Sequence, residues 1–452
     1  MRIVSDENFL LENKLQARIG WHLQTEGLWV LFRIFTRHSL GDGGSIFEFR
    51  IFLNMRIVHI ITRLILGGAQ ENTLITCKLL ARRGHHVTLI TGPALGPEGE
   101  LFHQTANAGY DVIILDAMRR AILPGKDILT YMQLKNLLRK LRPDIIHTHS
   151  AKAGILGRWA GHALKGKLEP GTNKPGVVHT IHGLAFHPYL NPLLNRLYIA
   201  IEKSAGKCTD AFITVADAMT EKARAAGIGL DKPYITAYSA IDEEAFLTKP
   251  SQEDIKAFRQ KHGIPEKAVV LITVARLAEL KGHEYIIESA NRLAARFQNC
   301  HWLFVGDGAL TEQIKTQIRT AGLNDRVKFT GLVPPEQIPL MIHASDILVH
   351  CSLREGLARV LPQAMLCAKP VVSFDIDGAK EIVNDKTGFL IEPKDVDGLT
   401  QACAKLIENP QLCQTLGQAG LKSVVEKFAP DTMVNTIEAV YQTLLQHPSN
   451  NC

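Results

Sequence analysis

No two cysteines in this chain stand in a C-x-x-C arrangement; the eight, from Cys77 to Cys452, are scattered. That spacing excludes a thiolate zinc centre and a disulfide framework, and it fits the reduced thiols of a cytoplasmic protein. Long apolar runs are lacking as well. The longest, such as Ala268–Ala275, reach about eight residues, far short of the ~20 needed to span a bilayer. The N-terminus has no basic segment leading into an uninterrupted apolar core, so it does not read as a secretory signal. G-x-G-x-x-G is missing after the first strand, and Walker A, H-E-x-x-H and G-x-S-x-G patterns do not occur. Nicotinamide-dinucleotide, P-loop, zinc-protease and serine-hydrolase chemistry therefore lose their sequence support.

What is present is a soluble globular composition: 452 residues and 50.0 kDa with 46% apolar and 21% charged residues, enough chain for two or three cores. The charge is uneven. Residues 55–245 hold 23 Lys and Arg against 16 Asp and Glu, whereas 246–452 hold 22 against 23 and 1–54 hold six of each sign. A surplus of seven on one half points to an anionic partner, either a phosphate-bearing substrate or a membrane surface. Nucleic acid is not expected, because the basic residues are spread over a domain with no recognition motif.

From Met55 onward short apolar runs alternate with longer amphipathic ones, the pattern of parallel α/β units. Arg56–Ile61, Val87–Thr91, Val112–Leu115, Ile145–His149, Val177–Ile181 and Ala211–Val215 read as strands of a first domain, 55–245. Ala268–Ala275, Trp302–Val305, Val327–Thr330, Ile347–His350, Val371–Phe374 and Phe389–Ile391 read as strands of a second, 246–428, with Thr248–Pro250 as the connection. Residues 429–452 read as a helix and tail, the helix packing back on the first domain. The expected fold class is α/β: two doubly wound Rossmann-like domains facing across a cleft, with ligands beyond the carboxyl ends of the strands. Residues 1–54 stand outside this rhythm. Met55-Arg56-Ile57-Val58 reads as a natural start, so the extension is expected to be a start-site artefact; the alternative is an appendage docking through Trp29, Phe32 and Phe35.

The carboxyl ends of those strands carry the candidate chemistry. Gly67-Gly68 precedes a helix expected from about Glu71 to Arg83, and adjacent glycines let backbone N–H groups approach an anion. Arg276 and Lys281 sit five apart on one strand-to-helix loop and can straddle a diphosphate. Glu355 beside Gly356, and Gln363 eight residues on, can orient vicinal hydroxyls. His149 and His182 both end strands of the first half and suit contacts to a sugar or phosphate. Asp375-x-Asp377 raises a metal reading, which is set aside because Arg276 and Lys281 already offer positive charge; no metal site is expected.

Taken in order, Gly67-Gly68-Ala69-Gln70, His147-Thr148-His149-Ser150, Thr180-Ile181-His182-Gly183, Arg276-Leu277-Ala278-Glu279-Leu280-Lys281-Gly282, Gly306-Asp307-Gly308 and Arg354-Glu355-Gly356-Leu357 through Gln363-Ala364-Met365 resemble the retaining glycosyltransferases of family 4, with the GT-B fold. The resemblance runs from Met55 to about Gln446. It implies that Gly67, Gly68 and Gly306 lie close to the donor, that Arg276 and Lys281 clamp its diphosphate, and that His182 contacts the transferred sugar. It further implies that Glu355, with Gly356 and Leu357, holds sugar hydroxyls and that position 363 meets the ribose. The family pattern has Glu at that last position, and Gln363 brings no charge. A second departure is Tyr238-Ser239-Ala240, where many members carry Asn-Gly.

The segments 147–158 and 180–189 resemble the branch that builds bacterial envelope glycans on lipid carriers. The implied function is transfer from a nucleotide-diphosphate sugar, a UDP-sugar favoured, to an acceptor hydroxyl of a lipid-linked or other glycan. The implied site is the cytoplasm or the inner face of the anionic membrane, with neither cofactor nor metal. His149, Arg119, Arg120 and Lys126 are the acceptor-side candidates. A nucleotide-sugar epimerase of the same fold and a catalytically quiet sugar-nucleotide binder are the alternatives.

Overall fold

The computed structural model describes residues 54–95, 99–166 and 174–446, together with the backbone of three strands ahead of them. Those strands, Gly20–Thr25, Leu28–Thr36 and Phe47–Phe52, pair antiparallel in a sheet separate from the rest. The side chains of Trp29, Phe32 and Phe35 lie outside the described residues.

Two parallel sheets follow. The first has seven strands in the spatial order Tyr234–Thr236, Ala211–Thr214, Gly176–Ile181, Ile145–His149, Arg56–Arg63, His86–Gly92 and Asp111–Ile114. The second has six, in the order Val327–Gly331, Cys300–Val305, Val269–Val274, Ile347–His350, Val371–Phe374 and Gly388–Ile391. Every neighbouring pair within these sheets is parallel, and helices cover both faces. That is why the central strands are largely apolar: Ile57, Ile60, Ile61, Ile145 and Ile146 are all buried, and the polar residues buried among them, His59 and His147 included, must find partners inside the core. Strand order reverses between Arg56–Arg63 and Ile145–His149 in one sheet, and between Val269–Val274 and Ile347–His350 in the other. These switch points open crevices at the strands' carboxyl ends, and the two crevices face each other.

The expected strands are all present, with ends shifted by at most two residues. The short edge strand Tyr234–Thr236 was not expected, since three residues carry too little pattern to stand out. The connection between the halves is flanked by helices Glu243–Leu247 and Gln252–Lys261, the second capped by the Ser251 hydroxyl on the Asp254 N–H. One hydrophobic cluster joins the halves, packing Ile181, Val215 and Ala216 with Leu357, Ala358 and Val360. Among the described residues no helix is long and apolar enough to cross a membrane.

The last helix, Pro430–Gln446, returns to the first sheet. Its Met433, Val434, Ile437, Val440 and Tyr441 pack with Met55, Ile57, Leu74 and Leu80. Glu438 anchors it, accepting from Arg83 at 2.7 Å and pairing with His85 at 2.9 Å. Burial pushes the Glu438 carboxyl up, but His85 and Arg83 outweigh it and hold the group below its usual range. Its ionisation therefore adds stability that is present above the unfolded pKa of about 4.3 and is lost as pH falls through the lower folded value. Replacing Glu438 by Ala leaves the buried His85 Nε2 without its partner and Arg83 with Asp431 alone, and is expected to cost about 1–3 kcal/mol. Denaturant unfolding at pH 7 checks this; an unchanged midpoint would show that the helix is held by its apolar face alone.

Candidate functional site

The first sheet delivers a helix N-terminus to its switch point. Helix Gly68–Arg82 begins three residues earlier than expected, because Gly68 can tuck its bare backbone under a side chain from the other half. A Cβ on Gly68 would lie 2.8 Å from Arg359 Cδ. Gly68 and Ala69 line the cleft, where the unpaired N–H groups of the first turn favour negative charge. His182, just past strand Gly176–Ile181, lines the same cavity.

The second sheet delivers the charged groups. After strand Val269–Val274 the loop turns through Leu280 at φ 64° and Gly282 at φ 70°. Gly282 admits no side chain, since a Cβ would lie 1.9 Å from the Cys351 carbonyl oxygen. The Leu353 N–H donates to the Leu280 carbonyl at 2.8 Å, which draws the two loops together and sets Lys281 against Glu355. Lys281 Nζ donates to Glu355 Oε1, and His350 stands 3.6 Å from that same oxygen. The Glu355 N–H donates to Asp377 Oδ2 at 2.5 Å, and Asp377 also pairs with Lys222 of the first half. Asp375 is exposed, whereas the Asp377 carboxylate is taken up by Lys222 and the Glu355 N–H. Burial raises the Glu355 carboxyl, yet the Lys281 ammonium and the His350 hydrogen bond outweigh it and hold the group far below the ordinary carboxylate range.

Two adjoining cavities result. One, of about 240 Å³, is lined by Gly68, His182, Lys281, Glu355, Gly356 and Leu357 among others. The other, of about 530 Å³, is lined by Arg276, Gly306, Gln363 and Glu71, and it shares Val274, Ala275 and Arg359 with the first. Arg276 and Lys281, expected as one clamp, thus face neighbouring cavities; Arg276 is exposed and makes no ion pair among the described residues. An anion lying across the shared wall could meet both. Gly356 is required by closeness: its Cβ would lie 1.8 Å from the His182 carbonyl oxygen.

The acceptor-side candidates divide. Arg119, Arg120 and Lys126 lie in and just after the loop that follows strand Asp111–Ile114, at the same edge of the sheet as Gly67. Arg119 donates to Asp116 at 2.9 Å, while Arg120 and Lys126 are exposed. His149 needs correcting. It is fully buried, with Nδ1 bonded to His182 and Nε2 to His59, so it stands behind the cleft wall and cannot touch an acceptor. The sequence reading missed Arg359 and His350. Arg359 bonds Glu71 at 2.5 Å and the Ala240 carbonyl at 2.9 Å, across the halves. An Arg in an otherwise apolar helix start was the available signal. Substituting Met for Lys281 removes the charge that outweighs burial, so the Glu355 carboxyl is expected to titrate at distinctly higher pH in 13C NMR. An unmoved titration would mean that His350 alone holds it.

Comparison with known proteins agrees with this architecture. The family profile "Glycosyltransferase Family 4" matches residues 66–244, and "Glycosyl transferases group 1" matches 254–423. The putative glycosyltransferase EpsD of Bacillus subtilis is 28% identical over 336 residues, covering 73% of this chain and 84% of that protein. The UDP-Gal:alpha-D-GlcNAc-diphosphoundecaprenol alpha-1,3-galactosyltransferase of Escherichia coli is 28% identical over 367 residues, covering 79% and 89%. Among solved structures, Anabaena HepE in complex with UDP and glucose superposes with TM-score 0.72 at 23% identity, over 86% of this chain and 100% of that one. A Rickettsia africae glycosyltransferase gives TM-score 0.70 at 20% identity, over 87% and 99%. With its two switch-point crevices closed on each other and both family profiles matched in order, the chain belongs to the family 4 glycosyltransferases of the GT-B fold.

Proposed function

We propose that this glycosyltransferase moves a sugar from a uridine-diphosphate donor to an acceptor hydroxyl on a lipid-linked glycan, with retention, in bacterial envelope polysaccharide synthesis. The observation that carries the reading is the pair of adjoining cavities with Lys281 and Glu355 in one and Arg276 and Gln363 in the other. On this reading the sugar would occupy the first and the nucleoside the second, with the diphosphate crossing the shared wall. Charge builds on the diphosphate as the glycosidic bond breaks. Arg276, Lys281 and the helix N-terminus at Gly68 would stabilise it in a site that needs no reorganisation at that moment. These groups supply the charge that a divalent ion would otherwise bring, so the proposed reaction needs no metal. Glu355 would accept hydrogen bonds from sugar hydroxyls, and its ionised state suits that task. In the front-face route the departing phosphate oxygen takes the acceptor's proton as the acceptor oxygen bonds the anomeric carbon, so no protein base is required.

The acceptor class is supported by the surface beside the cleft. Ile122, Leu123, Ile128, Leu129 and Met132 are exposed apolar side chains on the segment that carries Arg119, Arg120 and Lys126. Cations beside apolar groups suit a carrier's phosphate and its hydrocarbon, and also the anionic inner face of a membrane. The donor and acceptor in the E. coli relative's name are of this chemistry.

The test incubates residues 55–452 with uridine-, guanosine- and adenosine-diphosphate sugars, EDTA and a membrane lipid extract. Release of uridine diphosphate only when lipid is present is the expected result. Sugar conversion without release would replace the reading with an epimerase; donor binding without turnover would replace it with a quiet binder. Arg276→Ala and Lys281→Ala are each expected to cut turnover by about 10²–10³ with an unchanged circular dichroism spectrum. Near-normal turnover would overturn the clamp.

A further inference from the structure

Behind the cleft wall five histidines crowd the centre of the first sheet: His59, His147, His149, His179 and His182. His147 and His179 have local partners. His147 bonds the Tyr441 hydroxyl at 2.5 Å and Thr180 Oγ1 at 2.6 Å, and His179 bonds Thr148 Oγ1 at 2.9 Å. The other three form a chain. His182 Nε2 stands 3.0 Å from His149 Nδ1, and His149 Nε2 stands 2.9 Å from His59 Nδ1. The chain ends in the core, because His59 Nε2 is buried with no partner. Its other end is open, because His182 lines the cleft with Nδ1 as its remaining nitrogen. His59, His147 and His149 have nitrogens near enough together to suggest a metal centre. Five of their six ring nitrogens are already hydrogen-bonded, however, so the cluster is not shaped for an ion.

Burial keeps these rings neutral: it lowers His59 to about 3, lowers His149 well below its ordinary value and, helped by Arg359, lowers His182 to about 3. A neutral imidazole has one N–H and one lone pair. Both hydrogen bonds of the chain can form only if all three rings carry their proton in the same sense. In the inward sense each Nε2 is protonated, and the chain ends on a buried His59 N–H with nothing to accept it. In the outward sense each Nδ1 is protonated, and the chain ends on a bare lone pair. A buried N–H without an acceptor is the rarer and costlier defect.

We propose that His59 and His149 are positioning residues that lock His182 in its Nδ1–H tautomer, so that it offers the cleft a hydrogen-bond donor and never an acceptor. What receives that N–H rests on the reading above: a hydroxyl oxygen of the bound sugar, held by His182 on one side and by Glu355 on the other.

Histidine-selective 15N labelling of the ligand-free full chain tests the lock without any donor. Two-bond 1H–15N couplings are expected to report Nδ1–H for His59, His149 and His182, with the signals assigned through His59→Phe and His182→Gln variants. In His59→Phe, His182 is expected to become a tautomer mixture, and kcat/KM for the donor to fall by about tenfold, the scale of one hydrogen bond. His59→Asn, which keeps a donor where Nδ1 stood, is expected to restore both, whereas a merely structural role would not follow that distinction. An Nε2–H tautomer at His182 in the unsubstituted protein overturns the proposal whether or not the variants fold, and so does a His182 tautomer that ignores His59→Phe. If the couplings are as expected and no nucleotide sugar binds, the lock stands and the functional reading falls.

Discussion

The cleft exists because Arg359 can sit between the two sheets. Its guanidinium reaches from the start of helix Val360–Leu366 in the second half to Glu71 and the Ala240 carbonyl in the first, and its stem occupies the space that a side chain at position 68 would need. The ion pair is partly buried, with side-chain exposures of 11% and 23%, so it is screened less than a surface pair. Its larger consequence is geometric. Arg359 forms the wall common to both cavities, and its hold on Glu71 fixes how far helix Gly68–Arg82 stands from the loop bearing Glu355. Around it the halves touch at close range: Glu381 accepts from the Asp217 and Ala218 N–H groups at 2.8 and 2.9 Å, and Arg354 donates to the Leu184 carbonyl. These polar contacts add to the apolar cluster that joins the halves and fix where the two sets of loops meet.

The electrostatics of the cleft follow from that closure. Lys281 and Glu355 neutralise each other, so the cavity between them carries no net charge from the pair. In the proposed reaction a diphosphate drawing on Lys281 would leave Glu355 with His350 and the hydroxyls of a sugar, so the group proposed to bind the anion would free the group proposed to orient the sugar. The positive surplus of residues 55–245 has a different place. Arg119, Arg120 and Lys126 stand at the edge of the first sheet, outside both cavities, where in the proposed function they would act on what approaches the cleft.

Much of this was legible in the sequence. Buried parallel strands are largely apolar on both faces, so twelve of the thirteen strands of the two parallel sheets announced themselves, and the motifs fell at their carboxyl ends as doubly wound topology requires. What stayed hidden depends on pairing in space. Arg359 and Glu71 are 288 residues apart, and neither has a neighbour in sequence that predicts the other. His149 was read as an acceptor contact because it ends a strand. The final residue of a strand still has two sides, and the period of two puts His149 on the face of His147, where both rings lie against His59 in the core.

Gln363 shows how one local choice answers to the whole. Set against the glutamate of the family pattern, it looks like a loss. In this chain, though, position 363 lies four residues after Arg359, one helical turn away, and both line the cavity that also contains Glu71. A carboxylate at 363 would stand at i, i+4 to the guanidinium, the spacing at which opposite charges on a helix attract. It would compete with Glu71 for the residue that holds the halves together. An amide can still accept a hydrogen bond from a hydroxyl without drawing that charge away. The neutral residue at 363 and the arginine at 359 are thus parts of one arrangement, in which the cation serves the closed interface and the amide leaves it undisturbed.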